Sequence, residues 1–162
     1  MRIGVYPGTF DPVTNGHVDL IKRSLHLFDK VYVAVALNPQ KHPVFDLDER
    51  VDMVRMVTKE LSQVEVEPFH GLLVEFVRAR GAHAIIRGLR AVSDFEFELQ
   101  VALMNRNLDE SSETVFLMPS QEYIYLTSTI IKEVARHGGN LKDLLPPEVA
   151  RRVVAKFKSS SR

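Results

Sequence analysis

Tyr6-Pro7-Gly8-Thr9-Phe10-Asp11-Pro12-Val13-Thr14-Asn15-Gly16-His17 is the stretch on which the reading of this chain turns. It follows the apolar run Arg2 to Val5 and precedes an amphipathic run, Val18 to Phe28. Two prolines, two glycines, an Asp and an Asn in twelve residues predict a shaped turn between a strand and a helix. Gly8 lets a ligand approach the backbone closely, and Thr9 offers a hydroxyl there. Gly16-His17 opens the helix, where free N–H groups and the helix dipole favour an anion. A glycine-rich turn alone is a weak signal; the rest of the chain gives it weight.

Downstream, Val18, Ile21, Leu25 and Phe28 fall on one helical face. Lys30 to Leu37 is rich in β-branched residues and almost continuously apolar, which suits a parallel strand covered on both sides. Asp46 and Glu49 have capping-box spacing at the start of a second helix. Val64 to Pro68 is a third strand. A helix over Leu72 to Arg80 ends at Gly81, a C′ glycine. Ala82 to Arg87 is the fourth strand, and Ser93 to Glu96 reads as another capping box, opening a helix to about Leu108. Thr114 to Met118 is the fifth strand. Helices over Ser128 to His137 and starting at Pro146-Pro147-Glu148 complete the chain, with residues 159–162 expected to fray. The alternation predicts an α/β fold with a doubly wound, five-stranded parallel sheet and right-handed crossovers. Residues 1–162 form a single domain in this reading.

Composition sets limits. The chain has 162 residues, 45% hydrophobic and 26% charged, with zero net charge. It carries no basic excess of the kind a duplex-coating nucleic-acid binder needs, so no nucleic-acid partner is expected. The absence of cysteine excludes disulfides, thiolate catalysis and Cys-ligated zinc. The six histidines show no paired ligand spacing. Apolar runs fall short of the ~20 residues of a membrane span, and the N-terminus lacks a signal-peptide pattern; no membrane association and a cytoplasmic location are expected.

In open α/β sheets ligands bind beyond the carboxyl ends of the strands. The chemically suggestive residues sort there. Pro7 to His17, Asn38 to Pro43, Gly71 to Leu73, Gly88 to Arg90 and Ser120 to Thr129 follow strands one to five in turn. Lys41, Arg87 and Arg90 bring positive charge to this rim. An unpaired Arg87 at the end of an apolar strand would be costly, and the guanidinium fork suits phosphate or carboxylate. Thr127, Ser128 and Thr129 open a helix, where they serve as caps or as a second anion seat. Glu98 either binds ribose or base or orients an arginine, and spacing leaves both open. No nucleophile–base pair, G-x-S-x-G or Walker A motif is present. Positive charge and positioning remain, which is what phosphoryl or nucleotidyl transfer requires.

Thr14-Asn15-Gly16-His17 is the T-x-G-H form of the nucleotidylyltransferase superfamily signature. The full opening string, Ile86-Arg87-Gly88-Leu89-Arg90-Ala91-Val92-Ser93-Asp94-Phe95-Glu96, and Thr127-Ser128-Thr129-Ile130-Ile131-Lys132-Glu133 closely resemble the bacterial phosphopantetheine adenylyltransferases, in order and over nearly the whole chain. The resemblance implies a dinucleotide-binding, Rossmann-like sheet of order 3-2-1-4-5. It implies transfer of AMP from ATP to 4′-phosphopantetheine, giving dephospho-coenzyme A and pyrophosphate in the penultimate step of coenzyme A biosynthesis. It further implies Mg2+ on the ATP phosphates rather than in a protein cage, a homohexamer, and coenzyme A as a feedback ligand.

Carried over residue by residue, the resemblance makes His17 the transition-state stabiliser, with Lys41 and Arg90 completing the catalytic set. Thr9, Lys41, Leu73 and Arg87 would contact phosphopantetheine. ATP would meet Thr9, Phe10, His17, Gly88, Leu89, Arg90 and Glu98. Tyr123, Ile124, Tyr125, Leu126, Thr127, Ser128 and Thr129 would form its phosphate loop. Tyr123 stands where tryptophan is frequent and Thr127 where serine is frequent; Gly71 stands where Asp or another polar residue is expected. Two other functions fit the motifs less closely: nucleotidyl transfer to another acceptor such as nicotinamide mononucleotide, and a non-catalytic nucleotide-binding regulatory module. Met53, Met56 and Met104 exceed one inward apolar stripe and are compatible with an oligomer interface.

Overall fold

The computed structural model describes residues 1–38, 40 and 42–160. Five parallel strands, β1 (Ile3–Gly8), β2 (Lys30–Ala36), β3 (Val64–Phe69), β4 (Ala84–Gly88) and β5 (Glu113–Leu117), lie in the order β3-β2-β1-β4-β5. Six helices connect and flank them: α1 (Asn15–Ser24), α2 (Leu47–Thr58), α3 (Leu73–Ala79), α4 (Val92–Leu108), α5 (Ser128–Arg136) and α6 (Pro147–Ser160). The expected strand order is therefore observed. Parallel neighbours need crossover connections, which the intervening helices supply.

The sheet is buried on both faces, as its continuous apolar strands demand. Side-chain alternation divides the core. Tyr6, Val31, Val33, Val35 and Ile86 pack on one side with Leu20, Ile21, Ile131 and Val153. Val5, Tyr32, Ala34 and Ile85 pack on the other with Val77. Met53 is fully buried in the first layer and Met56 packs against it; of the three methionines only Met104 is exposed, at 58%.

Four local expectations are corrected. First, Pro7 and Gly8 belong to β1, paired with Ala34 and Val35 of β2, rather than to the turn. The pairing to β4 stops at Val5, so proline interrupts no ladder on that side. Second, α1 ends at Ser24 and the chain reaches β2 through a turn, with Asp29 accepting from the Arg2 backbone N–H. Third, α4 begins at Val92 with Ala91 as an N-cap lacking a side-chain bond; Ser93 is already helical, so it is not the N-cap that the expected capping box requires. Fourth, helix α6 carries through Ser159 and Ser160, leaving only 161–162 of the expected frayed tail, and these lie outside the described residues. The Asp46–Glu49 box does form, with both reciprocal bonds.

Candidate active site

The strand order reverses between β1 and β4, and their pairing ends at Val5 and Ile85. Beyond that point the strands part, and a cavity of about 670 Å3 opens. The terminal residues of four strands, Gly8, Ala36, Phe69 and Gly88, all line it. The predicted edge of the sheet is therefore a single concave site at the switch point.

Its first wall is the Tyr6–His17 segment. Thr14 is the N-cap of α1, and its hydroxyl accepts from the His17 backbone N–H at 3.3 Å. In return, His17 Nδ1 accepts from the Thr14 N–H at 3.0 Å. This is a capping box with histidine in the place usually taken by glutamate. An N–H can only donate, so Nδ1 must hold its lone pair and the neutral ring carries its proton on Nε2. Burial, and secondarily the charge of Arg90, pushes the His17 pKa down to about 4. By residue His17 is only partly buried: the ring edge that meets the cavity is its open side. His17 enters the cavity neutral, as a donor.

Phe10 sets the angle of that ring. It is buried, with a backbone φ of 50°, and its ring stands edge-on to Tyr6 at 5.5 Å and to His17 at 5.0 Å. The ring lies against the Gly8 backbone so closely that a Cβ on Gly8 would meet Phe10 carbons at 2.8 and 2.9 Å. Gly8 is thus required by the Phe10 ring as well as by any ligand.

The second wall is cationic. Arg87 is held by Glu98 through two parallel bonds of 2.6 and 2.7 Å, a bidentate pair of the strong kind. Glu98 thereby takes the arginine-orienting role among those left open by its spacing. Arg90 donates to the Leu126 carbonyl at 3.0 Å and stands 3.5 Å from Asp94. Leu73, on α3, lines the cavity together with Phe69 and Phe97.

The third wall is the start of α5. The Thr127 hydroxyl caps the helix by accepting from Ile130 N–H at 3.0 Å, and Ser128 Oγ donates to the Pro12 carbonyl at 2.8 Å. Both hydroxyls therefore serve structure; each keeps free lone pairs, and Thr129 also faces the cavity together with Tyr123 and Leu126. The N-termini of α1 and α5 converge on one space, as the loop order predicts.

Of the sequence-predicted residues, Thr9, Phe10, His17, Leu73, Arg87, Gly88 and Arg90 line this cavity, as do Glu98, Tyr123, Leu126, Thr127, Ser128 and Thr129. Leu89, Ile124 and Tyr125 do not. Leu89 N–H continues the sheet to Leu117, while Ile124 and Tyr125 are exposed at 43% and 59%. Lys41 lies outside the described residues. Gly71 has a φ of 83°, a left-handed conformation that favours glycine over the polar residue expected there.

Three further residues organise the site. Asp11, 3% exposed, accepts from Val44 N–H at 3.0 Å, Phe45 N–H at 2.9 Å and Lys132 Nζ at 2.8 Å. It ties the first loop to the β2–α2 loop and to α5, and places the Lys132 ammonium on the cavity wall. Arg50, fully buried on α2, donates to the carbonyls of Thr9 and Ala36 at 2.7 and 2.8 Å, and to Phe45 at 3.1 Å. Nothing in the spacing of α2 distinguishes Arg50 from a surface arginine. Asp11 and Lys132 stand inside the first and last motifs, and their pairing across the chain leaves no spacing signal.

Among the described residues no group of three or more His, Cys, Asp or Glu side chains is placed to hold a metal ion, and no helix is long and apolar enough to cross a membrane. Arginine forks, a neutral histidine donor and two helix N-termini around a switch-point cavity define a nucleotide-handling α/β protein of the nucleotidyltransferase class. The cytidylyltransferase-like family model matches residues 5–134. A phosphopantetheine adenylyltransferase of Caldanaerobacter subterraneus subsp. tengcongensis is 54% identical over 160 residues, covering 99% of this chain and 100% of that one. Its namesake from Thermodesulfovibrio yellowstonii is 54% identical over 97% of this chain and 98% of its own. The chain belongs to the phosphopantetheine adenylyltransferase family, within the cytidylyltransferase-like proteins. Its fold also matches the crystal structure of a putative nicotinate-nucleotide adenylyltransferase from Vibrio parahaemolyticus, with TM-score 0.72, 20% identity and 93% and 91% of the two chains covered.

Proposed function

We propose that this protein transfers the adenylyl group of ATP to 4′-phosphopantetheine, releasing pyrophosphate and forming dephospho-coenzyme A. The observation that carries the reading is the convergence of His17, Arg87 and Arg90 with the helix N-termini of α1 and α5 on one cavity. The nucleophile is already a phosphate anion, so no strong base is needed. The barrier lies in bringing two anions together. Arg87 and Arg90 screen that repulsion, and the His17 Nε2–H donates to the α-phosphate oxygens as charge builds on them. Displacement is direct and in line, without a covalent enzyme intermediate; inversion at the α-phosphorus is the expected stereochemistry, and net retention would overturn it.

Thr9, Leu73 and Arg87 line the cavity and contact phosphopantetheine in this scheme; Lys41, which lies outside the described residues, is assigned to the same substrate by the family resemblance. Gly88, Arg90, Tyr123 and Thr127 to Thr129 face ATP. Mg2+ carried on the ATP phosphates would supply neutralisation of charge on the pyrophosphate leaving group. The protein works in the cytoplasm as a homohexamer, with coenzyme A, which shares the pantetheine arm, as a feedback ligand. The exposed apolar residues of α4, Phe97 at 64%, Leu103 at 53% and Met104 at 58%, support burial of that helix between subunits. Sedimentation showing a monomer at working concentration removes the hexamer.

One assay decides the reaction. Pyrophosphate release is followed with ATP, magnesium and either 4′-phosphopantetheine or nicotinamide mononucleotide. Release with the first alone is expected. Tight ATP binding without turnover on either acceptor would make the protein a binding module.

A further inference from the structure

We propose that the Tyr6 hydroxyl is a substrate-binding group of this site, donating a hydrogen bond to a phosphoryl oxygen held beside Arg87 and Arg90. The proposal rests on the reaction above for its substrates. Tyr6 lies near the carboxyl end of β1, at the point where the β1–β4 pairing has stopped. The residue is 5% exposed, and its ring is fixed edge-on against Phe10. Yet among the described residues its hydroxyl makes no hydrogen bond. Tyr32, the other tyrosine in the sheet, differs: its hydroxyl is met by Lys30 Nζ at 2.8 Å.

A buried hydroxyl without a partner is costly. Among the described residues no sealed side-chain nitrogen or oxygen lacks one. The Tyr6 hydroxyl is no exception, because it is not sealed: Tyr6 lines the cavity. The charges acting on it are Arg87, Arg90 and Glu98. Glu98 already engages Arg87 with both oxygens, so it does not need the phenol. Burial raises the Tyr6 pKa, which keeps the hydroxyl protonated and therefore a donor. Arg87, Arg90 and His17 Nε2 contribute donors to the same space. A ligand that satisfies four converging donors must be rich in acceptors, as a phosphate is.

The geometry leaves two sources for that oxygen, ATP or the acceptor phosphate, and the experiment separates them. Tyr6→Phe removes one oxygen and keeps the ring that packs on Phe10. Its thermal midpoint, kcat and both KM values are compared with wild type. A fall of about 10-fold or more in kcat/KM is expected, the size of one hydrogen bond to a charged group, with the thermal midpoint nearly unchanged. A rise in the KM for 4′-phosphopantetheine alone assigns the contact to the acceptor, and a rise for ATP alone to the nucleotide. A fall in kcat with both KM values unchanged assigns it to the phosphoryl group in transfer. Wild-type kinetics within twofold for both substrates overturn the proposal.

A second measurement holds if Tyr6→Phe folds poorly. In wild-type protein labelled at the tyrosine phenolic carbon, the Tyr6 resonance is assigned by elimination with Tyr32→Phe, Tyr123→Phe and Tyr125→Phe. It is then followed as ATP, and separately 4′-phosphopantetheine, is added. A shift with either supports the contact, and no shift with both overturns it. Because ATP binding is read directly, this result stands even where wild-type protein releases no pyrophosphate, an outcome that would count against the reaction alone.

Discussion

His17 Nδ1 accepts the backbone N–H of Thr14 at 3.0 Å, so the nitrogen that reaches the cavity is Nε2 with its proton. One contact thus fixes tautomer, ring orientation and helix start together. His17→Ala should lower kcat by roughly 100-fold or more, the scale of a lost transition-state donor, while the Kd for ATP changes by less than about threefold. Stopped-time product assays and calorimetric titration with ATP measure the two. Weakened ATP binding with unchanged turnover would make His17 a ground-state ligand only.

The same burial sets a pH dependence. The His17 pKa is pushed from an ordinary value near 6.5 down to about 4. Between those values the unfolded chain binds a proton that the folded protein refuses, so stability falls as pH drops from about 6.5 toward 4 and levels off below. Above 6.5 this contribution is fully present. Urea unfolding of wild type and His17→Gln across pH 4 to 7.5 should show a shallower decline for the variant. Parallel curves would mean that the ring titrates normally.

Two glycines at neighbouring strand ends should respond differently to alanine. At Gly8 the added carbon would meet two ring carbons of buried Phe10 at 2.8 and 2.9 Å, and Phe10 stands against His17. At Gly88 it would meet a terminal methyl of Leu20 at 2.5 Å, a buried core side chain rather than the ring that stands against His17. Gly8→Ala should therefore cost at least 10-fold in kcat through the displaced His17 ring, by the sensitivity of transfer to sub-ångström placement. Gly88→Ala should act mainly on stability, at roughly 1–3 kcal/mol, by overpacking Leu20. Equal loss of turnover in the two would argue that backbone access, rather than the Phe10 ring, is what Gly8 provides.

The sheet and the site edge were legible because both rest on local rules. Apolar strands such as Lys30 to Ala36 and helix stops such as Gly81 each declare themselves within a few residues, and the loop order then follows from topology. What escaped depends on distant partners. Pro7 reads as a turn residue, and only the halt of β4 pairing at Val5 shows why it fits in a central strand. Ser93 and Glu96 have capping spacing, but α4 starts earlier, at Val92. Glu98 could be assigned only once Arg87 was seen to lie across from it, eleven residues away in sequence. Asp11 and Lys132 are 121 residues apart, beyond the reach of any spacing rule.

Arg50 shows the same limit most fully and gives the sharpest stability test. It is 1% exposed, yet its guanidinium is bonded to backbone carbonyls rather than to a carboxylate. It joins Thr9 in the substrate loop, Ala36 at the end of β2, and Phe45 before α2. Burial lowers its pKa, opposed by the charges of Asp11 and Asp46, so the charge is kept by its neighbours rather than by solvent. Arg50→Met would remove the guanidinium donors from the carbonyls of Thr9, Ala36, Phe45 and Asp46, at a cost of roughly 3 kcal/mol or more in urea unfolding. Arg50→Lys keeps the charge but offers one nitrogen where the fork reached carbonyls on three segments, and should recover only part of that loss. Because Thr9 hangs on this fork, Arg50→Lys should also raise a substrate KM while the Asp46–Glu49 cap keeps α2 intact by circular dichroism. A loss below about 1 kcal/mol for Arg50→Met would show that the loop holds its shape without the arginine.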